Sequence, residues 1–435
     1  MLRRLLTAPS ARLGALQILI LCLSLLSQVL IARRFGVGHE LDRYFAVLGT
    51  ALGVMGSLSV GTNYVLPPKI VRALAKHDRD GARIAAAEGA RRILAWIGAV
   101  TLIGATGMIV ASGAGGALAG APNAGLIALG WLVAAGSACA GMLGAISTAH
   151  RRVAVPLGAS ALPPAAMLLA LATHRDGGAV VMLTGMLTGT ALQCAVLAAT
   201  LRGLVDWRHG QLRWDRRENG QLLMAVAGAA CFSSYSVVDA FVAPAIGAGA
   251  LTLQSLGQRL VVAFGAVLSA GAFALAPDNF GRLIEAGQRR HAYRLFRRTG
   301  MMLVAITLAA CAMMPIIGGG VLQLLFAGGS FRLASVDDLT MLVAILLVGS
   351  GAMLSSAIGF RLLYALAAGA HVAAASVAWL VAYLLSALTL VALGLPYPLA
   401  WAYVSSWWTV LVWVVWISDR RTASPISSDP LQDNR

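Results

Sequence analysis

Apolar residues recur along this chain in long unbroken runs, not in the period-2 or one-sided patterns of strands and surface helices, and polar residues collect in short stretches between them. Twelve runs approach or exceed the length needed to cross a hydrocarbon layer of about 30 Å. They are 13–32, 43–66, 93–112, 124–149, 153–173, 179–200, 221–243, 251–276, 299–326, 339–360, 364–394 and 398–417. The eleventh is long for one span and predicts an interfacial turn around Ala367 to His371. Pro163-Pro164 predicts a kink in the fifth. Runs three to six are rich in Gly and Ala, which lets helices approach closely in lipid.

Composition agrees: 59% of residues are apolar and 11% charged, with a mean hydropathy of +0.81. The net charge of +16 is therefore no sign of nucleic-acid binding, because the basic residues lie in short clusters between apolar runs. All five cysteines (Cys22, Cys139, Cys194, Cys231, Cys311) fall inside those runs, so neither a disulfide framework nor a CxxC site is expected. The seven histidines do not pair at ligand spacing, and no metal or cofactor is expected. Arg3 and Arg4 before an apolar stretch resemble a signal peptide, but Leu13 to Ala32 has the length of a span and is read as a retained helix.

Charge sets the orientation. With the N-terminus inside, the inner connections and tails carry 27 Lys and Arg and the outer ones carry 5. The expectation is a multi-pass protein of the bacterial inner membrane with both termini in the cytoplasm. A faint repeat runs at an offset of about 210 residues. Gly61 to Pro67 falls on Gly271 to Pro277, each expected to end a second helix and open a basic loop (67–92 and 277–298), and Arg151 falls on Arg361. Six helices per unit make the repeat parallel. The predicted fold is all-α, with two pseudo-symmetric six-helix bundles, 1–210 and 211–435.

Polar groups inside the runs supply the candidate site. Arg259 is the only charge in its run and shares a helical face with Thr252 and Ser255, continued by the small Ala263 and Ala266. An ionised group in hydrocarbon costs at least about 2.5–3.5 kcal/mol and normally faces a bundle interior. Asp239, on a face with Ser233 and Ser236, is the expected counter-ion. Gln17, Ser24 and Gln28 share a face of the first helix, and Gly56, Ser59 and Asn63 one of the second. These faces either line a polar path or form packing contacts. Trp401, Trp407, Trp408, Trp413 and Trp416 read as an interfacial belt.

Residues 32–45, ARRFGVGHELDRYF, resemble the loop between helices 1 and 2 of the MurJ/MviN family of lipid II flippases, through Arg33, Phe35, Gly36, Gly38, Asp42 and Phe45. Val238 to Pro277 resembles that family's helix 7–8 region, with Asp239 and Arg259 at the charged positions, and Leu325 to Tyr364 resembles the stretch after helix 9. The resemblance implies the multidrug/oligosaccharidyl-lipid/polysaccharide exporter fold, two six-helix lobes in a V around a central cavity. It also implies headgroup contacts from Arg259, Arg33, Arg34, Arg43, Gln28, Asn63 and Ser255, and ion coupling or charge pairing by Asp239 and Asp42. The chain departs from the family at Leu21, Ser27 and Met55, where cavity arginines usually stand. Ser27-Gln28 also replaces an arginine–aspartate pair, and twelve spans stand where the family usually has fourteen. These departures point beyond lipid II to related polyprenyl-diphosphate glycans.

The expected function is export of an undecaprenyl-diphosphate-linked glycan, lipid II or an exopolysaccharide or O-antigen precursor, with membrane lipids as partners and no nucleic acid. Two alternatives stay open: a cation-coupled drug or metabolite antiporter of the same superfamily, and a non-transporting scaffold that partners glycan-synthesis enzymes. No enzyme is expected, since there is neither a cluster of acids nor a large soluble domain. Single cysteines replacing Arg79 or Arg290 are expected to be shielded from a membrane-impermeant thiol reagent in intact cells. Labelling of either from outside would reverse the orientation.

Overall fold

The computed structural model describes residues 9–113, 118, 122–174, 177–207, 216–366 and 368–423. Apart from one isolated bridge between Gly328 and Phe331, every regular element among them is helical. In order these are α1 (Pro9–Phe35), α2 (His39–Ala75), α3 (Arg79–Gly113), α4 (Ala124–Ala149), α5 (Ala154–Ala159), α6 (Leu162–Thr173), α7 (Ala179–Thr200) and α8 (Arg216–Ser233). Then come α9 (Tyr235–Ile246), α10 (Ala250–Glu285), α11 (Arg289–Met313), a π-turn at Met314–Gly318, α12 (Gly319–Phe326), α13 (Leu333–Ala365), α14 (Gly369–Ala392) and α15 (Pro398–Ala423).

Twelve helical stretches among the described residues are long and apolar enough to cross a membrane, and they match the twelve runs one to one. Three are interrupted. The fifth breaks between α5 and α6, where Pro163 and Pro164 occupy the first turn of α6 and its missing donors have no intrahelical partner to lose. The seventh breaks at Ser234 and the ninth at the π-turn that holds Pro315. The eleventh starts at Gly369, because the tenth helix keeps residues up to Ala365.

The basic stretches expected as loops are mostly helix. α2 continues through Pro67 and Pro68 to Ala75, 37 residues and about 55 Å of helix, and α10 runs 36 residues to Glu285. Only 76–78 and 286–288 turn the chain. The two prolines remove individual hydrogen bonds, but Lys69–Ala75 carries on with helix-forming residues and places Arg72 in the last turn, where a cation complements the helix dipole. The 210-residue offset holds to the residue here. His77 (φ 58°) and Gly287 (φ 74°) are the left-handed residues of the two turns, and α3 and α11 begin at Arg79 and Arg289. The expected counterpart at Gly271 to Pro277 falls where side chains lie outside the described residues.

Contacts divide the chain into two compact units, residues 1–257 with 319–339, and residues 258–318 with 340–435. The expected boundary at residue 210 falls inside the first of these units. In the first unit α4 and α2 supply the core: Ile127, Trp131, Val133, Ala134 and Ile146 of α4 are buried, as are Tyr44, Phe45, Val47 and Leu48 of α2. Close approach rests on missing side chains. A Cβ on Gly189 of α7 would lie 2.5 Å from the Leu162 carbonyl oxygen and the Pro163 Cα, and one on Gly185 would lie 2.8 Å from the Met167 Cα. In the second unit Trp379 stacks on Tyr383 (5.2 Å, 11°) and meets Trp407 at 5.5 Å. Trp407 is thus buried between α14 and α15 and is no belt residue, whereas Trp401 and Trp416 stay exposed.

Gly189→Leu is expected to force α7 off α6 and destabilise the protein by about 1–3 kcal/mol, lowering the apparent Tm in detergent. Gly98→Leu, where nothing lies within 4 Å, is the control and is expected to leave Tm unchanged.

Candidate functional site

The segment joining α1 to α2 draws four helix ends together. Asp42, 3% exposed, lies in the first turn of α2 and turns its carboxylate onto the start of α10. Oδ2 accepts from the Gly249 amide (2.6 Å), and Oδ1 accepts from the Thr252 amide (2.9 Å) and the Thr252 hydroxyl (2.7 Å). α10 is therefore capped from another helix: an anion satisfies the orphan amides and faces the positive end of the helix dipole. Glu40 does the same for α7, its Oε1 accepting from the Ala179 amide at 2.8 Å, and Arg43 holds Glu40 in an ion pair at 3.5 Å.

The two arginines take the opposite ends. Arg34 donates to the Leu171 and His174 carbonyls in the closing turn of α6. Arg33 donates to the Leu324 carbonyl in the last turn of α12 at 2.8 Å. Cations on unpaired C-terminal carbonyls are favourable for the same reason that anions suit amide ends. The backbone locks the arrangement: Ser330 donates its amide to the Arg33 carbonyl (2.7 Å) and its hydroxyl to the Arg34 carbonyl (2.9 Å). Gly36 (φ 71°) is needed here, since a Cβ would lie 2.5 Å from the Ser330 carbonyl oxygen.

The other candidates are placed apart. Gln28 is 6% exposed on α1, its Nε2 3.3 Å from the Ser27 hydroxyl, and its Oε1 is buried with no partner among the described residues. Asn63 is exposed and donates to the Ser59 carbonyl one turn back at 3.0 Å. Ser59 itself abuts Gly141 of α4, so that edge of the polar face is a packing contact. Ser255 and Arg259 are half-buried on α10, and Thr252, expected on their face, is fully buried against Asp42. Asp239 is 1% exposed on α9, five residues after the break at Ser234. Gly53 of α2 faces that break, where a Cβ would lie 3.0 Å from the Ser233 carbonyl oxygen. Asp239 and Arg259 fall in different compact units.

The capping partners Glu40, Ser330, Gly249 and the α6 carbonyls were not singled out from the sequence. The one available signal was the density of charge in 33–43 at a helix–helix junction, which marks helix ends as readily as a ligand.

No protein-family model matches the chain, and no curated protein matches it in sequence. Solved structures do match. The lipid II flippase MurJ in an inward closed conformation superposes with a TM-score of 0.74 at 12% identity, over 94% of this chain and 88% of that one. The chain has the fold of MurJ. An inward-facing multidrug resistance MATE transporter of the MOP superfamily matches at 0.71 and 14% identity, over 94% of this chain and 98% of that one. A MOP superfamily transporter from Pyrococcus furiosus, described with a binding pocket of reverse polarity, matches at 0.63 and 15% identity over 97% and 98%. The MurJ-like fold thus carries, in this chain, a ring of charged caps in its first unit.

Asp42→Ala is expected to leave three buried donors unsatisfied at about 1–3 kcal/mol each, giving a large drop in Tm in detergent. Thr252→Val, which removes one donor, is expected to cost less, and Asp42→Asn, which keeps an acceptor, to fall between them.

Proposed function

We infer that the protein exports a polyprenyl-diphosphate-linked glycan across the bacterial inner membrane, as a flippase that makes and breaks no covalent bond. The observation that carries this reading is Arg259, a half-buried cation at the centre of the apolar span Ala250–Leu268 of α10, in a chain with the fold of MurJ. A guanidinium in a span is stabilised by an anion, and its planar fork fits a diphosphate with two parallel hydrogen bonds. The lipid tail stays in the bilayer while the headgroup crosses. Lipid II and exopolysaccharide or O-antigen precursors share this diphosphate chemistry.

The capping ring supports a gating role. Under the symmetry division at residue 210, α1, α2, α6 and α7 belong to one lobe and α10 and α12 to the other. Asp42 on α10 and Arg33 on α12 then tie the lobes together at the outer end, and release of the headgroup requires those ties to open. Arg33, expected as a headgroup contact, acts in this account as a closing element, while Arg34 and Arg43 act within the first lobe on the end of α6 and on Glu40.

A second reading has a specific observation behind it. Asp239 is a buried carboxylate in an interrupted span, the arrangement that couples cations in antiporters, and the MATE fold matches almost as well. In that case a sodium or proton gradient drives an organic cation outward.

Arg259→Ala is expected to block export while protein level stays normal, read as accumulation of the lipid-linked glycan in the inner leaflet. Arg259→Lys retains part of the activity if a point charge suffices, and little if the fork is required. Normal export by a well-expressed Arg259→Ala strain would remove the flippase reading. Loss of organic-cation resistance in Asp239→Asn, with glycan export intact, would establish the antiporter.

A further inference from the structure

The second unit carries a furrow that the transport reading does not use. α11 and α15 run side by side, and at the start of α11 and the end of α15 they enclose a cavity of about 440 Å3 lined by Arg290, Tyr293, Arg294, Asp419, Thr422 and Ala423. Along the same two helices lies an apolar groove of about 350 Å3, whose walls include Gly300, Met301, Val304 and Leu308 of α11 and Leu411 and Val415 of α15. The register makes these one feature. Residues 290, 294, 297, 301, 304 and 308 follow at steps of three and four and share a face of α11, as 422, 415 and 411 do on α15. Arg297, at the junction, lines the groove. Gly300, within the groove lining, presents no side chain; a Cβ there would lie 3.4 Å from the Ser355 Cβ.

Dimensions and charge point to one class of occupant. From Arg297 to Leu308 the groove is about 16 Å long at 1.5 Å per residue, half of a hydrocarbon core of about 30 Å, so it matches the chain of a lipid from a single leaflet. At its polar mouth stand Arg290, Arg294 and Arg297, with Asp419 as the one acid in the lining. Neighbouring cations are otherwise engaged: Arg420 lies over the Trp416 ring at 4.0 Å, and Arg421 meets His371 at 3.1 Å. Among the described residues no ion pair holds Arg290 or Arg294. Two arginines on adjacent turns suit one phosphodiester, and Asp419 and Thr422 suit hydroxyl donors beyond it.

We propose that α11 and α15 form a binding site for an anionic phospholipid with a hydroxylated headgroup, of the phosphatidylglycerol type. The phosphate sits on Arg290 and Arg294, the headgroup hydroxyls reach Asp419 and Thr422, and one acyl chain lies in the groove. The site is independent of the transported substrate. A lipid held there anchors the basic end of α11 to one leaflet.

Delipidated full-length protein in detergent, titrated with phosphatidylglycerol and with phosphatidylethanolamine of the same chains and read by native mass spectrometry, tests this. Phosphatidylglycerol is expected to bind at least fivefold tighter. Arg290→Gln with Arg294→Gln should weaken it about tenfold and erase the preference. Val304→Trp, which fills the groove and leaves the arginines in place, should weaken both lipids with Tm unchanged. Equal affinity of the two lipids for the wild type, or binding untouched by either variant, would overturn the proposal. Selective tight binding of a polyprenyl diphosphate in place of phosphatidylglycerol would overturn it too, by making the furrow part of the substrate path.

Discussion

The closure of helix ends by charge is the constraint on which the first unit depends. A helix leaves unpaired amides at its start and carbonyls at its finish, and at the edge of a membrane these cannot all be left to water. In residues 33–43 four charged side chains meet that demand for four different helices: Asp42 for α10, Glu40 for α7, Arg34 for α6 and Arg33 for α12. Because each acts on a partner distant in sequence, eleven residues set the relative placement of helices spread over nearly 300 positions. The same signs that read as ligand chemistry, two arginines and two acids in one loop, are those that helix dipoles require.

That double meaning explains how far the sequence could be read. The spans were legible because the bilayer imposes length and composition, and each of the twelve runs is helical, three of them with a break. The turns were less legible. Pro67 and Pro68 read as an end, yet α2 runs through them, because a helix of 37 residues tolerates two lost hydrogen bonds when the residues beyond are strong helix formers. Trp407 read as an interfacial anchor and proved to be core, since an aromatic facing Trp379 and Tyr383 is indistinguishable by spacing from one facing headgroups. Thr252 lay on the predicted face with Arg259, but its partner was Asp42, 210 positions earlier, and no local pattern announces so distant a cap.

Function depends on fewer residues than fold. The likeness to MurJ and to MATE transporters spans nearly the whole chain at 12–14% identity, which carries architecture but not cargo. What separates a flippase for anionic lipids from a cation antiporter is the sign of the charge presented to the substrate. Here the charges deep within the apolar runs are Arg259, on α10, and the buried Asp239, on the interrupted seventh span. The proposal rests on Arg259 as the group that meets the substrate; the antiporter reading gives that part to Asp239.

The most direct measurement is made on the purified protein in proteoliposomes that contain a polyprenyl-diphosphate-linked oligosaccharide, with a membrane-impermeant glycosidase added outside. Lipid-linked sugar initially protected in the inner leaflet should become cleavable over time with wild-type protein, and stay protected in empty vesicles. If the sugar remains protected while the same vesicles exchange an organic cation for sodium or protons, the flippase account is contradicted.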